Sequence, residues 1–129
     1  IDKMNSARIK IADLYNTRFS DIDGIVIPKS MPESKHVYQM YTLKFPELSR
    51  QLRDKLVGEI RDSGVEVSVH FTPPVHKQPA YSEEFGNIDL PVTNLVSDTI
   101  MTLPMYPKLD SKTANKVADI IIDKYKKLK

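Results

Sequence analysis

The sequence contains no cysteine, only four glycines, and no long apolar run. Without cysteine, disulfides, thiolate nucleophiles and thiolate metal sites are excluded. The absence suits a reducing cytosol, where structural disulfides are rare. The glycines are scattered, so there is no Gly-rich phosphate loop. No apolar stretch approaches the ~18 residues a membrane-spanning helix needs, and no signal peptide opens the chain. An excess of one charge is missing too. Nineteen Lys and Arg face seventeen Asp and Glu, a net charge of +2. That balance gives no case for a nucleic acid or an anionic membrane as partner, and a soluble, cytoplasmic protein is expected. No carboxylate pair sits in a defined motif, and no nucleophile-elbow spacing supports a Ser-His-Asp triad.

What is present is the material of one globular domain. A chain of 129 residues, 40% hydrophobic and 28% charged, buries roughly two-thirds of its unfolded surface, enough for one ordinary core. No internal repeat is visible, and the whole of 1–129 reads as a single unit. Ile11, Leu14, Tyr15 and Phe19, preceded by Met4, Ala7 and Arg8, lie at helical spacing. No initiator Met and no Ser, Thr, Asp or Asn cap comes before this pattern. The start is therefore expected to be a cut inside, or just before, a long helix; an artificial boundary or a processed precursor accounts for it equally well. Asp23-Gly24 predicts a turn and Gly24–Pro28 a short strand. His36–Phe45 predicts an inner strand, with Val37, Gln39, Tyr41, Leu43 and Phe45 on one face. Ser49 is the expected cap of a helix over Arg50–Ser63, striped by Leu52, Leu56 and Ile60 and ended by Gly64.

Val65–Phe71 alternates cleanly, which predicts a strand with its valines and Phe71 toward the core and Glu66, Ser68 and His70 away from it. Thr72–Pro91 has no periodicity and reads as a loop of about 20 residues, a length that in compact domains is usually functional or disordered. A helix over Val92–Met101, an extended Leu103–Pro107 and a last helix over Ser111–Lys127, capped by Asp110, complete the order. Ala114, Val117, Ile121 and Tyr125 form the inner face of that last helix. Three short strands with helices on one side predict an α+β, two-layer sandwich with a small, mainly antiparallel sheet.

The chemistry-bearing stretch is His70-Phe71-Thr72-Pro73-Pro74-Val75-His76-Lys77-Gln78-Pro79-Ala80-Tyr81. Its two histidines flank a Pro-Pro step at a strand end, where a stiff loop holds polar side chains toward a ligand at small entropic cost. Read as zinc ligands they are weak: the spacing has no cysteine and no clear third ligand. Read without any family knowledge, they are surface-loop histidines with no special role.

The stretch VSVHFTPPVHKQPAY resembles the H-Y-x-x-P-x-H-x-Q-P-x-Y segment of the DegT/DnrJ/StrS-type sugar aminotransferases, which are fold-type I enzymes using pyridoxal phosphate. RQLRDKLVGEIRDSGVEV is similar to that family's helix ending in Gly before the strand, and LPVTNLVSDTIMTLPMYPKLD to its helix running into an L-P-x-x-P turn. IKIADLYNTRF and the final helix match in kind and order, so the resemblance covers essentially the whole chain. Two departures stand out. Phe71 replaces a frequent Tyr, and Gln39 stands where the strand pattern often has His.

The resemblance implies a C-terminal domain of a fold-type I enzyme, with the cofactor lysine, the aspartate facing the pyridine nitrogen and the phosphate-binding residues in a larger domain before this chain. No segment here corresponds to them, so this stretch alone is expected to hold no cofactor and to be catalytically silent. The intact enzyme would use pyridoxal phosphate to move an amino group from an amino acid, glutamate by the resemblance, to a keto-sugar that is usually nucleotide-linked. His70, Phe71, His76 and Tyr81 are the implied substrate-side residues, facing the sugar or its diphosphate, and a homodimer is implied for the full-length protein. Two alternatives stay open at this point: a related dehydratase using the same cofactor, and a non-catalytic sugar- or partner-binding module.

Overall fold

Every residue from 1 to 129 is described by the computed structural model. Its helical layer is made of three amphipathic segments. Helix α1 (Asp2–Phe19) starts after Ile1 with no side-chain cap and buries Ile11, Ala12, Tyr15 and Phe19. A short strand β1 (Tyr41–Lys44) precedes α2 (Arg50–Asp62). The Ser49 side chain caps α2 by accepting from the Leu52 N–H, and Gly64 takes the left-handed φ of +82° just past its end. Helix α3 (Ser82–Phe85) is a single turn, and α4 (Pro91–Thr99) runs directly into β2 (Ile100–Leu103). Helix α5 (Ser111–Leu128) is capped by Asp110 and buries Ala114, Val117, Ala118, Ile121 and Tyr125. Helix α5 packs on both α1 and α2, and α2 also touches α4 and β2.

The sheet is antiparallel, pairing Tyr41 with Leu103 and Leu43 with Met101. These four side chains are buried together under the helices. Helix α1 reaches them through Tyr15, whose ring lies 5.0 Å from that of Tyr41, and α5 through Tyr125, 5.4 Å from Phe45. The Tyr15 hydroxyl donates to the Pro104 carbonyl and the Tyr41 hydroxyl to Asn16 Oδ1. Burial drives both phenols well above their usual range, so they act as neutral donors. The result is a two-layer α+β fold with a short antiparallel sheet and helices on one side, the class expected from the sequence.

The strands depart from expectation in identity and length. Gly24–Pro28 contributes one bridge, Val26 to Lys44, and Val65–Phe71 contributes one, Ser68 to Thr102. The regular ladder is instead β1 with β2, so the element order across the sheet is Val26, β1, β2, Ser68. The helix expected to run to Met101 stops at Thr99 because its carbonyls find other donors. The Phe45 N–H takes the Thr99 carbonyl at 2.8 Å, and Arg53 takes those of Ser97 and Ile100. The strand expected from His36 begins only at Tyr41. The Tyr38 N–H donates to His36 Nδ1, and Tyr38 adopts a φ of +46°. That breaks the alternation: Tyr38 is buried while Val37 and Gln39 are exposed. In α2 the inner face is Arg53, Leu56, Val57 and Ile60, and Leu52 lies outside. Val65 and Val67 are buried as expected, but Phe71 is 62% exposed, because the chain leaves the extended conformation at His70. The segment expected to be a featureless loop holds a 3-10 turn at Val75–Lys77 as well as α3. No helix is long and apolar enough to cross a membrane.

Candidate functional site

The bridge at Ser68 fixes where the following residues go. The Ser68 N–H and carbonyl exchange hydrogen bonds with Thr102, at 3.0 and 2.7 Å, which docks the end of this segment against β2. The chain then turns at His70 and runs through Pro73-Pro74 alongside α4. Between the two lies a cleft of about 290 Å³. One wall is His70, Phe71, Pro74 and Val75; the other is Val92, Thr93, Val96 and Ser97 of α4, with Ile100 where β2 begins. The walls are tied together by the Ser97 hydroxyl, which donates to the Phe71 carbonyl at 2.8 Å.

No Asp, Glu, Lys or Arg side chain lines the cleft. Its polar groups are the His70 imidazole and the hydroxyls of Thr93 and Ser97, set among aliphatic and aromatic carbon. Such a site selects neutral, partly apolar ligands and orients them with a few hydrogen bonds. The nearest turn of the ring is fixed from two sides. His70 Nδ1 lies 3.4 Å from Thr102 Oγ1, and the ring meets Phe71 edge-on at 5.8 Å between centroids.

Behind the cleft, Arg53 is wholly buried. Its Nη1 donates to the carbonyls of Ser97 at 3.0 Å and Ile100 at 2.6 Å, and its Nε to Asp54 at 2.8 Å. Both carbonyls belong to cleft residues, so this one side chain sets the position of the α4 wall.

Of the four residues singled out in the sequence, the structure brings His70 and Phe71 together in the cleft. His76 is buried in the 3-10 turn, with its Nε2 lacking a partner, and Tyr81 stands exposed before α3; neither lines the cleft. Gln39 is exposed. No group of three or more His, Asp or Glu side chains converges as metal ligands would. Sequence reasoning missed the whole α4 wall, together with Thr102 and Arg53. One signal was available: Val92, Leu95 and Val96 spread over more of α4 than a single inward stripe requires.

Residues 1–122 match the DegT/DnrJ/EryC1/StrS aminotransferase family. The chain is 28% identical over 118 residues to the erythromycin biosynthesis sensory transduction protein EryC1 of Saccharopolyspora erythraea, which covers 91% of this chain and 31% of that protein. It is 30% identical over 112 residues to a dTDP-4-dehydro-2,3,6-trideoxy-D-glucose 4-aminotransferase of Saccharopolyspora spinosa, covering 87% of this chain and 28% of that one. Among solved structures, DesV of S. venezuelae, crystallised with a ketimine intermediate, superposes with a TM-score of 0.85 at 26% identity, over 95% of this chain and 32% of DesV. The chain thus spans about a third of the length of the relatives it matches. On sequence and fold together, the chain belongs to the DegT/DnrJ/EryC1/StrS aminotransferase family.

Proposed function

We propose that residues 1–129 form the C-terminal, substrate-side domain of a pyridoxal-phosphate-dependent aminotransferase that passes an amino group from glutamate to a nucleotide-linked keto-sugar. The observation that carries this reading is the cleft. It is built from the very segment that resembles the family motif, and large apolar side chains (Phe71, Val75 and Val92) stand exposed on its walls. Exposed apolar surface of this kind marks a face that meets a ligand or another part of a larger protein.

The residues present do not fit the cofactor itself. The cleft offers no amine to bond pyridoxal phosphate, no carboxylate for a ring nitrogen and no cluster of N–H donors for a phosphate. Those groups are assigned to the remaining two-thirds of the intact enzyme, which we take to be a homodimer. The Saccharopolyspora spinosa relative is named for a dTDP-linked trideoxy-glucose. A sugar of that type suits walls of valine and phenylalanine, which lose little by facing a ring with few hydroxyls. On this reading His70 donates to a sugar oxygen and Phe71 packs on the ring, while His76 and Tyr81, outside the cleft, keep a substrate-side role only as the family resemblance implies it. With no Lys or Arg in its lining, the cleft suits the sugar better than its diphosphate.

In the intact enzyme, His70→Ala should lower kcat/KM for the keto-sugar about tenfold, the factor that corresponds to ~1.4 kcal/mol for one hydrogen bond. The half-reaction with glutamate should keep its rate, because that donor does not need the sugar wall. Equal losses in both half-reactions, or in neither, would remove His70 from the sugar site.

A further inference from the structure

Residues 69–89 supply one whole wall of the cleft, yet little that is polar ties them to the rest of the domain. Two side-chain hydrogen bonds leave the stretch. The Ser97 hydroxyl donates to the Phe71 carbonyl at 2.8 Å, and His70 Nδ1 lies 3.4 Å from Thr102 Oγ1, near the outer limit for such a bond. The other hydrogen bonds of these residues close within the stretch, as from the Lys77 N–H to Pro74 and from the Phe85 N–H to Tyr81. Its charged side chains, Lys77, Glu83, Glu84 and Asp89, make no ion pair. Val69 packs against the core and Pro74 and His76 are buried, but the Phe71 ring stands exposed, so little of its own packing holds it.

We propose that Ser97 is a positioning residue: its hydroxyl latches the Phe71 carbonyl to α4 and so holds the His70–Phe71 wall ordered before a ligand arrives. A serine inside a helix can spend its hydroxyl on a carbonyl of its own helix, as Thr99 does on Leu95. Ser97 instead reaches across the cleft floor to the other wall. Its own place is fixed from behind, because the Ser97 carbonyl accepts from the buried Arg53 at 3.0 Å. The wall is thereby fastened through α4 to α2. Without the latch, the wall would have to be ordered at the moment of binding, and that cost appears as weaker binding and not as slower chemistry. The latch is a property of this chain; that the wall it holds meets a keto-sugar rests on the function proposed above.

The two are tested separately. Phe71-Thr72 is the one Phe-Thr step in the sequence, so a 129-residue chain labelled with carbonyl-¹³C Phe and ¹⁵N Thr gives a single carbonyl-linked signal, that of the Thr72 N–H. Its relaxation order parameter should be about 0.85 in the wild type, fall below about 0.6 in Ser97→Ala, and stay high in Ser97→Thr, which keeps the hydroxyl. The amides of Thr42, Thr102 and Thr113, in the ladder and in α5, should keep theirs in every variant. A mobile Thr72 in the wild type, which needs no variant to observe, overturns the latch. So does a Thr72 that Ser97→Ala leaves rigid, or one that loosens only together with the three control amides, or one that loosens equally in Ser97→Thr. In the intact enzyme, Ser97→Ala should raise KM for the keto-sugar about fivefold with kcat nearly unchanged, and the glutamate half-reaction should keep its rate. If Thr72 loosens while keto-sugar use does not change, the latch stands and the sugar-wall reading falls.

Discussion

Replacing Arg53 by Met keeps the length and most of the volume of the buried stem but removes the guanidinium. Two carbonyls, those of Ser97 and Ile100, then lose donors at 3.0 and 2.6 Å in a dry site. A hydrogen bond from a charged donor is worth ~1.5–3 kcal/mol, so the pair represents roughly 3–6 kcal/mol. Part of that is offset, because burying a guanidinium is itself costly, and here Nη2 is buried without a partner. The net expectation is a loss of about 3 kcal/mol, which for a domain of this size lowers Tm by about 10 °C. The ion pair with Asp54 should contribute far less. That carboxylate has 52% of its side chain exposed, so Asp54→Asn should cost under about 1 kcal/mol, and added salt should erase the difference. Urea unfolding of both variants at low and high salt measures all of this. If Arg53→Met stays within about 0.5 kcal/mol of wild type, or if Asp54→Asn is the costlier change, the carbonyl account of Arg53 is wrong.

Two smaller predictions rest on single residues. Gly24 and Gly64 both have left-handed φ, +79° and +82°, but a Cβ on Gly24 would lie 2.1 Å from the Tyr125 hydroxyl, whereas one on Gly64 would meet nothing within 4 Å. Gly64→Ala should therefore cost about 1 kcal/mol from the backbone alone, and Gly24→Ala that plus about 1–3 kcal/mol of overpacking, compared by urea midpoints. Asp110 accepts from both the N–H and the hydroxyl of Thr113, and these bonds, the backbone one foremost, hold its carboxyl below the usual carboxylate range. A carboxyl depressed in the folded state stabilises fully above its unfolded pKa and loses that contribution as pH falls through the folded value. Asp110→Ala should thus lower the urea midpoint at neutral pH, and its gap from wild type should close in acid.

The parts of the fold that were legible in the sequence are those set by neighbours in the chain. Ser49 and Asp110 cap their helices and Gly64 ends α2, because a cap depends on residues three or four positions away. Ladder length was not legible. Gly24–Pro28 and Val65–Phe71 have strand composition, yet each makes one bridge, while Ile100–Leu103, read as the end of a helix and the start of an extended stretch, became a full strand. The rotation of α2 was hidden for a related reason. Leu52 fits the stripe as well as Arg53 does, and only the carbonyls at the end of α4, 44 and 47 residues further on, decide between them. The candidate site divides in the same way. His70 and Phe71 could be named from a local motif. Thr102, 32 residues from His70, could not.

Helix α4 and Phe71 broke the usual reading of apolar pattern, and they broke it in the same direction. Hydrophobic periodicity assumes that a chain buries its own apolar residues, and α1, α2 and α5 largely obey it. Helix α4 is inverted. Its buried residues are Ser97 and Thr99, while Val92 is 73% exposed and Leu95 is exposed as well. The inward polar residues are accounted for: Ser97 Oγ donates to the Phe71 carbonyl, Thr99 Oγ1 to the Leu95 carbonyl, and the Ser97 carbonyl accepts from Arg53. Nothing within residues 1–129 covers the outward valine and leucine. An isolated apolar side chain on a surface needs no explanation, but Phe71, Val75 and Val92 gather on the two walls of one cleft. Under the function proposed here, the rest of a polypeptide about three times as long, together with its sugar, completes their burial. On that reading the outward valine and leucine of α4 and the exposed Phe71 have one cause: their packing partners lie in the rest of the longer polypeptide.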